Sequence, residues 1–336
     1  MPKNILVTGG FGFIGTTLVS QLLEKELGAR IHIVDDNSTS PIIFDDYLEQ
    51  VHRPANLTYD ICRIDEYFAR GFSETWDEIY HLASPVGPAG VLIHAGEMVR
   101  QVVRDIYLLM DYCRETGARL LDISTSEIYG GGVDGLCTET TDKIVPHETT
   151  ARLEYAIAKL AAETALINAC RSRGLNASIV RPFNVAGPRQ SPKGGFVLPR
   201  FIQQSETGKP MTVFGDGSAR RAFTHVDDMC SGIILTMAKG RVGEAYNVGN
   251  PDNKTTILAL AHTVREVLQK DTGIIHVDPK TIYGPTYAEA SDKYPDSSKV
   301  MEELGWKPRH DIPGTIRDYV REYRRQREAG TLKDVV

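Results

Sequence analysis

Cysteine is scarce and scattered in this chain of 336 residues. Cys62, Cys113, Cys137, Cys170 and Cys230 show none of the close pairings that build a tetrahedral metal site, so they read as reduced structural thiols and no metal is expected. No apolar run approaches the length of a bilayer span, and the start lacks the charged-then-apolar pattern of a signal peptide. The expectation is a cytoplasmic protein with no membrane partner. Positive charge is also in deficit, with 38 Lys and Arg against 44 Asp and Glu. A formal charge of -6 argues against nucleic acid as a partner, although local arginines can still meet small anions. The most basic stretch, Arg317 to Arg327, is interleaved with acids and reads as a solvated closing helix. There is no internal repeat and no low-complexity segment.

What is present begins with Asn4-Ile5-Leu6-Val7-Thr8-Gly9-Gly10-Phe11-Gly12-Phe13-Ile14-Gly15. A short apolar run, a glycine cluster and a periodic stretch to about Leu27 spell strand, tight loop and helix. Gly9, Gly12 and Gly15 fit a dinucleotide fingerprint, in which one glycine permits the turn, one admits a pyrophosphate and one lets helix pack on strand. The helix N-terminus then faces the phosphates. A second strand, Arg30 to Val34, ends at Asp35, where a carboxylate can bind ribose hydroxyls and would repel a 2′-phosphate. No arginine directly follows it. The cofactor implied is NAD rather than NADP.

Further strand-like runs occur at Glu78 to Leu82, Leu120 to Ile123, Ala177 to Arg181 and Ala245 to Gly249, separated by helical stretches near Met98 to Thr116 and Arg152 to Arg173. Such alternation predicts a Rossmann α/β fold, a doubly wound parallel sheet with helices on both faces. After Arg181 the chain turns rich in proline and glycine, which indicates a smaller, discontinuous C-terminal substrate-binding lobe. The expected division is 1–181 plus about 224–250 for the NAD-binding domain, and about 182–223 plus 251–330 for the lobe.

Tyr155 and Lys159 stand four apart in Glu154-Tyr155-Ala156-Ile157-Ala158-Lys159, one turn apart on one helix face. A phenol is a poor base at neutral pH unless a nearby cation favours its phenolate. Lys159 is the expected cation. Alone, such a pair is common on solvated helices; with the glycine fingerprint it marks a hydride-transfer site.

Together these features resemble the extended short-chain dehydrogenase/reductases, in particular the NAD-dependent nucleotide-sugar epimerase, dehydratase and decarboxylase group. The resemblance also rests on His81-Leu82-Ala83-Ser84, Ser124-Thr125-Ser126-Glu127-Ile128-Tyr129-Gly130, Arg181-Pro182-Phe183-Asn184-Val185-Ala186-Gly187-Pro188-Arg189 and Arg221-Ala222-Phe223-Thr224. It implies that Gly9, Gly12, Phe13, Ile14, Gly15, Asp35, Leu82, Ala83, Val185, Tyr155 and Lys159 hold NAD, with Asp60 and Ile61 beside the adenine. It implies that Ser84, Asn184 and Arg221 face a nucleotide-diphosphate sugar, and Arg189, Arg200 and Arg220 are candidates for its diphosphate. Tyr155 takes the sugar O4 proton while hydride leaves C4, Thr125 hydrogen-bonds the same oxygen, and Lys159 binds the nicotinamide ribose and holds the tyrosine pKa down. Relatives pair the helices near 98–116 and 152–173 into a four-helix bundle, which implies a homodimer.

The fate of the 4-ketone separates the subfamilies. In a hexuronic acid the ketone lies β to the C6 carboxylate, so carbon dioxide can leave through an enolate. Ser126, Glu127 and Arg221 resemble the nucleotide-sugar decarboxylases, and UDP-glucuronate decarboxylase is the leading expectation. A 4-epimerase needs only rotation of the ketone, and the run Val197 to Ile202 looks epimerase-like. A 4,6-dehydratase would use Glu127 as the base at C5. A non-catalytic NAD-binding module is the remote alternative. Two positions depart from the decarboxylase pattern: Val91 stands where a substrate-facing tyrosine is usual, and Val102 where an asparagine helps position the lysine. His81 is expected to pack within the sheet, and His225 to contact substrate or merely structure.

Overall fold

The computed structural model describes residues 2–38, 40, 43–71, 75–130, 135–192, 194–284 and 292–332. Seven parallel strands form the central sheet in the order Ala245–Val248, Ala177–Pro182, Arg119–Ile123, Glu78–His81, Asn4–Thr8, Arg30–Asp35 and Leu57–Ile61. Parallel strands are covered on both faces, and the central strand shows it: Ile5, Leu6 and Val7 are all fully buried, an unbroken apolar run rather than an alternating one. Chain order reverses direction between Asn4–Thr8 and Glu78–His81. That switch opens a crevice beyond the carboxyl ends of the strands, where ligands of such sheets bind.

Six of the seven strands coincide with apolar runs in the sequence. Leu57–Ile61 does not, because it is an edge strand whose residues are half-buried or exposed, so nothing in its pattern demanded a sheet. One face of the sheet packs on the Phe13–Lys25 and Val226–Lys239 helices, with Trp306 fully buried among Val226, Met229 and Val248. The Trp306 indole donates to the Asp228 carbonyl at 2.9 Å, so the largest core side chain leaves no polar atom unsatisfied. The other face packs on the Met98–Thr116 and Ala151–Arg173 helices through Val102, Ile106, Leu109, Ala158, Ala162 and Leu166. A third apolar cluster, drawn from the helices Val197–Glu206, Ile257–Leu268 and Ile312–Ala329, lies apart from the sheet. The chain returns from that cluster to the sheet at Ser298–Leu304, whose Val300 and Leu304 join the Trp306 core.

The Ala151–Arg173 helix positions the tyrosine and lysine. Thr150 caps it by accepting from the Leu153 amide at 3.1 Å, and the left-handed Gly174 ends it at φ 71°. Tyr155 therefore falls in the second turn, with Lys159 one turn later on the same buried face.

Candidate active site

A cavity of about 620 Å³ occupies the crevice at the strand ends. Its floor is the glycine loop. Gly9, at φ 71°, lies so close to the next loop that a Cβ would sit 2.7 Å from the Ala83 nitrogen, and a Cβ on Gly15 would sit 2.1 Å from the Gly9 carbonyl oxygen. Only hydrogen fits at either place. Gly12 begins the Phe13–Lys25 helix without any side-chain cap, so the first amides remain available to an anion. Asp35 accepts the amides of Phe11 at 2.9 Å and Asn37 at 2.8 Å, which fixes its carboxylate at the cavity wall beside Asp36 and Ser38. Uncapped amides, a tight glycine floor and acids beyond the second strand fit NAD, and the acids disfavour a 2′-phosphate.

Phe13, Ile14, Leu82, Ala83, Ser84 and Val185 all reach the cavity wall. Asp60 and Ile61 do not. The edge strand carries Asp60 into ion pairs with Arg70 at 3.1 Å and His32 at 3.2 Å, and Ile61 is exposed. The chain turns inward just after them, so Cys62, Arg63 and Ile64 line the cavity instead. On the facing helix Gln101, Arg104 and Asp105 join that end, a trio on one helix face that the sequence reading passed over.

At the other end stand Tyr155, Lys159, Thr125 and Ser126, each less than a tenth exposed. Thr125 ends the strand run, caps the Ser126–Tyr129 turn by accepting from the Glu127 amide at 3.1 Å, and lies near enough to the Tyr155 hydroxyl to favour its phenolate. The Lys159 ammonium donates to the Ile123 carbonyl at 2.9 Å. Phenol and ammonium are thus both tied to the end of the Arg119–Ile123 strand.

One expectation is corrected here. The Tyr155 pKa stands above its usual value, chiefly because the phenol is buried; the Thr125 hydroxyl lowers it, and the charges of Glu127 and Asp122 raise it further. The Lys159 ammonium is directed to Ile123, and the protein's own groups do not hold the phenol down. His81 behaves as foreseen: its Nδ1 shares a 2.8 Å hydrogen bond with Thr8, and burial with the Lys159 charge pulls it down to about 3, so it is a neutral ring within the sheet.

Glu127 is gripped by two cations. Arg152 Nη1 lies 3.1 Å from Oε2, and the buried Lys293 ammonium hydrogen-bonds Oε1. Burial opposes ionisation, but Lys293 and Arg152 outweigh it and draw the carboxyl down to about 2. Sequence reasoning singled out neither cation. Arg152 carries a weak signal, a basic residue in the first helical turn where the dipole disfavours it. Lys293, far downstream, gives none; it arrives because its backbone bridges to Arg221.

Asn184, Arg200 and Arg221 line the cavity. Asn184 adopts φ 37° and donates to the Ala222 carbonyl at 3.3 Å. The Arg200 guanidinium lies 4.0 Å over the Phe214 ring and donates to Thr212. Arg221 is buried and donates to the Arg220 carbonyl at 2.7 Å. Arg189 is absent from the wall: it turns to Thr17 at 3.4 Å and covers the Tyr47 ring at 5.6 Å. Arg220 also stays outside, exposed. Val91 lines the wall and packs with Met98 against Tyr155, whereas Val102 lies in the core with Ala158 and Ala162.

His225, His310 and Asp318 come together elsewhere, with the two rings stacked 4.0 Å apart. They are poorly suited to a metal. His225 Nδ1 accepts the Asp227 amide at 3.0 Å, so the neutral ring carries its proton on Nε2 and offers no lone pair there. Among the described residues no helix is long and apolar enough to cross a membrane.

Residues 5–249 match the model of the NAD dependent epimerase/dehydratase family. A UDP-glucuronic acid decarboxylase 1 of Arabidopsis thaliana is 32% identical over 320 residues, which cover 94% of this chain and 69% of that protein. A UDP-glucose 4-epimerase of Thermotoga maritima, solved with UDP-glucose, is 28% identical at a TM-score of 0.82, covering 96% of this chain and 99% of that one. A dTDP-glucose 4,6-dehydratase of Streptomyces venezuelae, solved with NAD, is 28% identical at a TM-score of 0.82, covering 97% and 98%.

Proposed function

The chain belongs to the NAD-dependent epimerase/dehydratase family, and from that premise we propose that it is a UDP-glucuronate decarboxylase. The protein is an NAD-dependent enzyme that modifies nucleotide sugars. What favours decarboxylation over its rivals is the state of Glu127. A carboxyl drawn down to about 2 is a feeble base, unsuited to removing the C5 proton as a 4,6-dehydratase must. Held between Lys293 and Arg152, it leaves a net positive charge at the cavity wall that can attract a hexuronate carboxylate.

The steps follow from groups already placed. NAD, held by the glycine loop and Asp35, would supply the acceptor for the C4 hydride. Tyr155, as its phenolate, would take the O4 proton, with the Thr125 hydroxyl beside it. Lys159, which lines the cavity, would bind the nicotinamide ribose. The C5–C6 bond of the resulting β-keto acid breaks, carbon dioxide departs, and the electron pair becomes an enolate at O4, held by Tyr155 and Thr125. Solvent would supply the proton at C5, the hydride would return to C4, and Tyr155 would give its proton back to O4, leaving the UDP-pentose. Asn184, Arg200, Arg221 and Ser84 border the nucleotide-sugar end of the cavity.

A 4-epimerase remains the second reading, favoured by the Val197 to Arg200 wall of the cavity and needing nothing from Glu127. The non-catalytic reading fits poorly with a retained tyrosine, lysine and threonine in mutual contact with one strand end. We further infer a two-lobed enzyme, with 1–181 and about 224–250 holding NAD and about 182–223 and 251–330 the sugar. It works in the cytoplasm as a homodimer paired through the helices Met98–Thr116 and Ala151–Arg173, where Val99, Tyr107 and Ile157 are exposed apolar residues. Incubation with NAD and UDP-glucuronate, followed by mass and NMR, tests the reaction. Loss of 44 mass units, roughly one carbon dioxide, is expected; an isobaric product would establish the epimerase instead.

A further inference from the structure

We propose that Glu154 is a positioning residue for the C4 oxidation: it ties the start of the Met98–Thr116 helix to the helix that carries Tyr155, and so holds the apolar wall against which the phenol stands. The Glu154 carboxylate accepts the Gly96 amide at 2.6 Å through Oε2 and the Met98 amide at 3.0 Å through Oε1. Both oxygens are engaged by the backbone of one neighbouring element. Met98 opens a helix of 19 residues whose own N-cap, Glu97, makes no side-chain hydrogen bond and whose first turn carries no acid. The first amides of a helix lack partners within it, and its positive end favours a negative charge. Glu154 supplies acceptor and charge from the adjacent helix, one residue before the tyrosine.

The catalytic phenol depends on what that turn carries. Val91, Met98 and Tyr155 form one small buried cluster, with Ala151 from the first turn of the tyrosine helix packed on it. Met98 is fully buried, and Val91 reaches the cavity wall from the short helix Gly87–Ile93. Between Val91 and Met98 the chain turns tightly, with the His94 amide donating to Gly90 and the Glu97 amide to His94. Gly96 takes φ 91° in that turn, and nothing lies within 4 Å of the place a side chain would start. The carboxylate, not side-chain packing, fixes this point. Without it the turn is free to draw back, Met98 and Val91 follow, and the phenol ring loses the wall that keeps it in one orientation beside Thr125. Drift of about 1 Å at a reacting group can cost on the order of 10²-fold in rate. The glycine loop and Asp35 stand on other elements, so cofactor binding should be spared.

This inference rests on the reading of Tyr155 as the base at O4, and the experiment separates the two. Wild type, Glu154→Ala, Met98→Ala, the double variant and Tyr155→Phe are assayed with NAD and UDP-glucuronate, taking kcat and KM from loss of the starting nucleotide sugar. Glu154→Ala should lower kcat about 10- to 10²-fold while KM changes less than about threefold, the signature of a lost transition-state alignment. Glu154→Gln, with the same reach and one accepting oxygen, should fall between Glu154→Ala and wild type. Both alanine changes release the same wall, so the double variant should be within about threefold of the slower single one. Effects that multiply would place the action of Glu154 elsewhere and overturn the proposal. A KM raised about tenfold or more at unchanged kcat would make Glu154 a binding residue and overturn it too. If Glu154→Ala does not fold, Glu154→Gln enters the same cycle with Met98→Ala, and a glutamine variant equal to wild type refutes the tie. Tyr155→Phe inactive with Glu154→Ala at the wild-type rate defeats this proposal alone, whereas Tyr155→Phe as fast as wild type defeats the reading beneath it. If wild type leaves UDP-glucuronate intact, the decarboxylase reading fails and the cycle runs on UDP-glucose with the same expectations.

Discussion

Replacing Gly15 by alanine probes the cofactor site through a single methyl group. In the structure that methyl would lie 2.1 Å from the Gly9 carbonyl oxygen and 2.7 Å from the Gly10 Cα. Ordinary carbon–oxygen contact is about 3.3–3.6 Å, so loop and helix must separate by more than an ångström. Both contacts are backbone, and no side-chain rotation can absorb them. The strain should cost about 1–3 kcal/mol of stability. It should cost more in binding, because the receding Phe13–Lys25 helix withdraws its uncapped amides from the pyrophosphate. Two such charge-assisted hydrogen bonds at about 1.5–3 kcal/mol each give roughly 3–6 kcal/mol, or a Kd for NAD raised by about 10² to 10⁴. Calorimetric titration of purified protein with NAD measures the Kd, and thermal unfolding without cofactor isolates the structural part. A variant that binds NAD within threefold of wild type would show that Gly15 does not set the approach of helix to cofactor.

Other residues make narrower predictions. Trp306→Ala, emptying a fully buried site and removing the indole hydrogen bond to the Asp228 carbonyl, should destabilise the chain by about 3–5 kcal/mol in urea unfolding; a loss under 1 kcal/mol would contradict its place in the core. Asp122 is buried, and burial holds its carboxyl up at about 6 against the opposing Lys159 charge. A folded-state pKa raised above the unfolded value favours folding below about pH 4 and loses that contribution as pH rises through about 6. Asp122→Asn should therefore gain stability relative to wild type between pH 4 and pH 8, and a difference independent of pH would refute the reasoning. Asp35→Asn should narrow the preference for NAD over NADP by removing the charge that repels a 2′-phosphate, read as the ratio of the two dissociation constants; an unchanged ratio would place the discrimination elsewhere.

The parallel sheet was legible because its central strands are buried on both faces, and burial writes itself as apolar runs such as Ile5-Leu6-Val7. Leu57–Ile61 escaped notice because an edge strand needs no such run. Close backbone approach leaves a similarly clear mark, since only glycine tolerates it at Gly9 and Gly15. Side-chain direction leaves none. Arg189 and Arg200 look alike in sequence, yet one covers Tyr47 and the other reaches the cavity. Lys293 entered the site by a long-range backbone bridge that no local pattern announces. The elevated Tyr155 pKa belongs to the same class, because spacing shows that a lysine is one turn away but not that its ammonium is directed to Ile123.

The central claim, that Tyr155 begins a C4 oxidation which ends in loss of the C6 carboxylate, is tested most directly with UDP-glucuronate labelled at C6 with ¹³C. Wild type with NAD should release labelled carbon dioxide and form a UDP-pentose, and Tyr155→Phe should release at least 10²-fold less, the scale of a lost general base. Labelled carbon dioxide appearing equally fast from the phenylalanine variant, or full retention of the label by wild type while the nucleotide sugar is converted, would contradict the account.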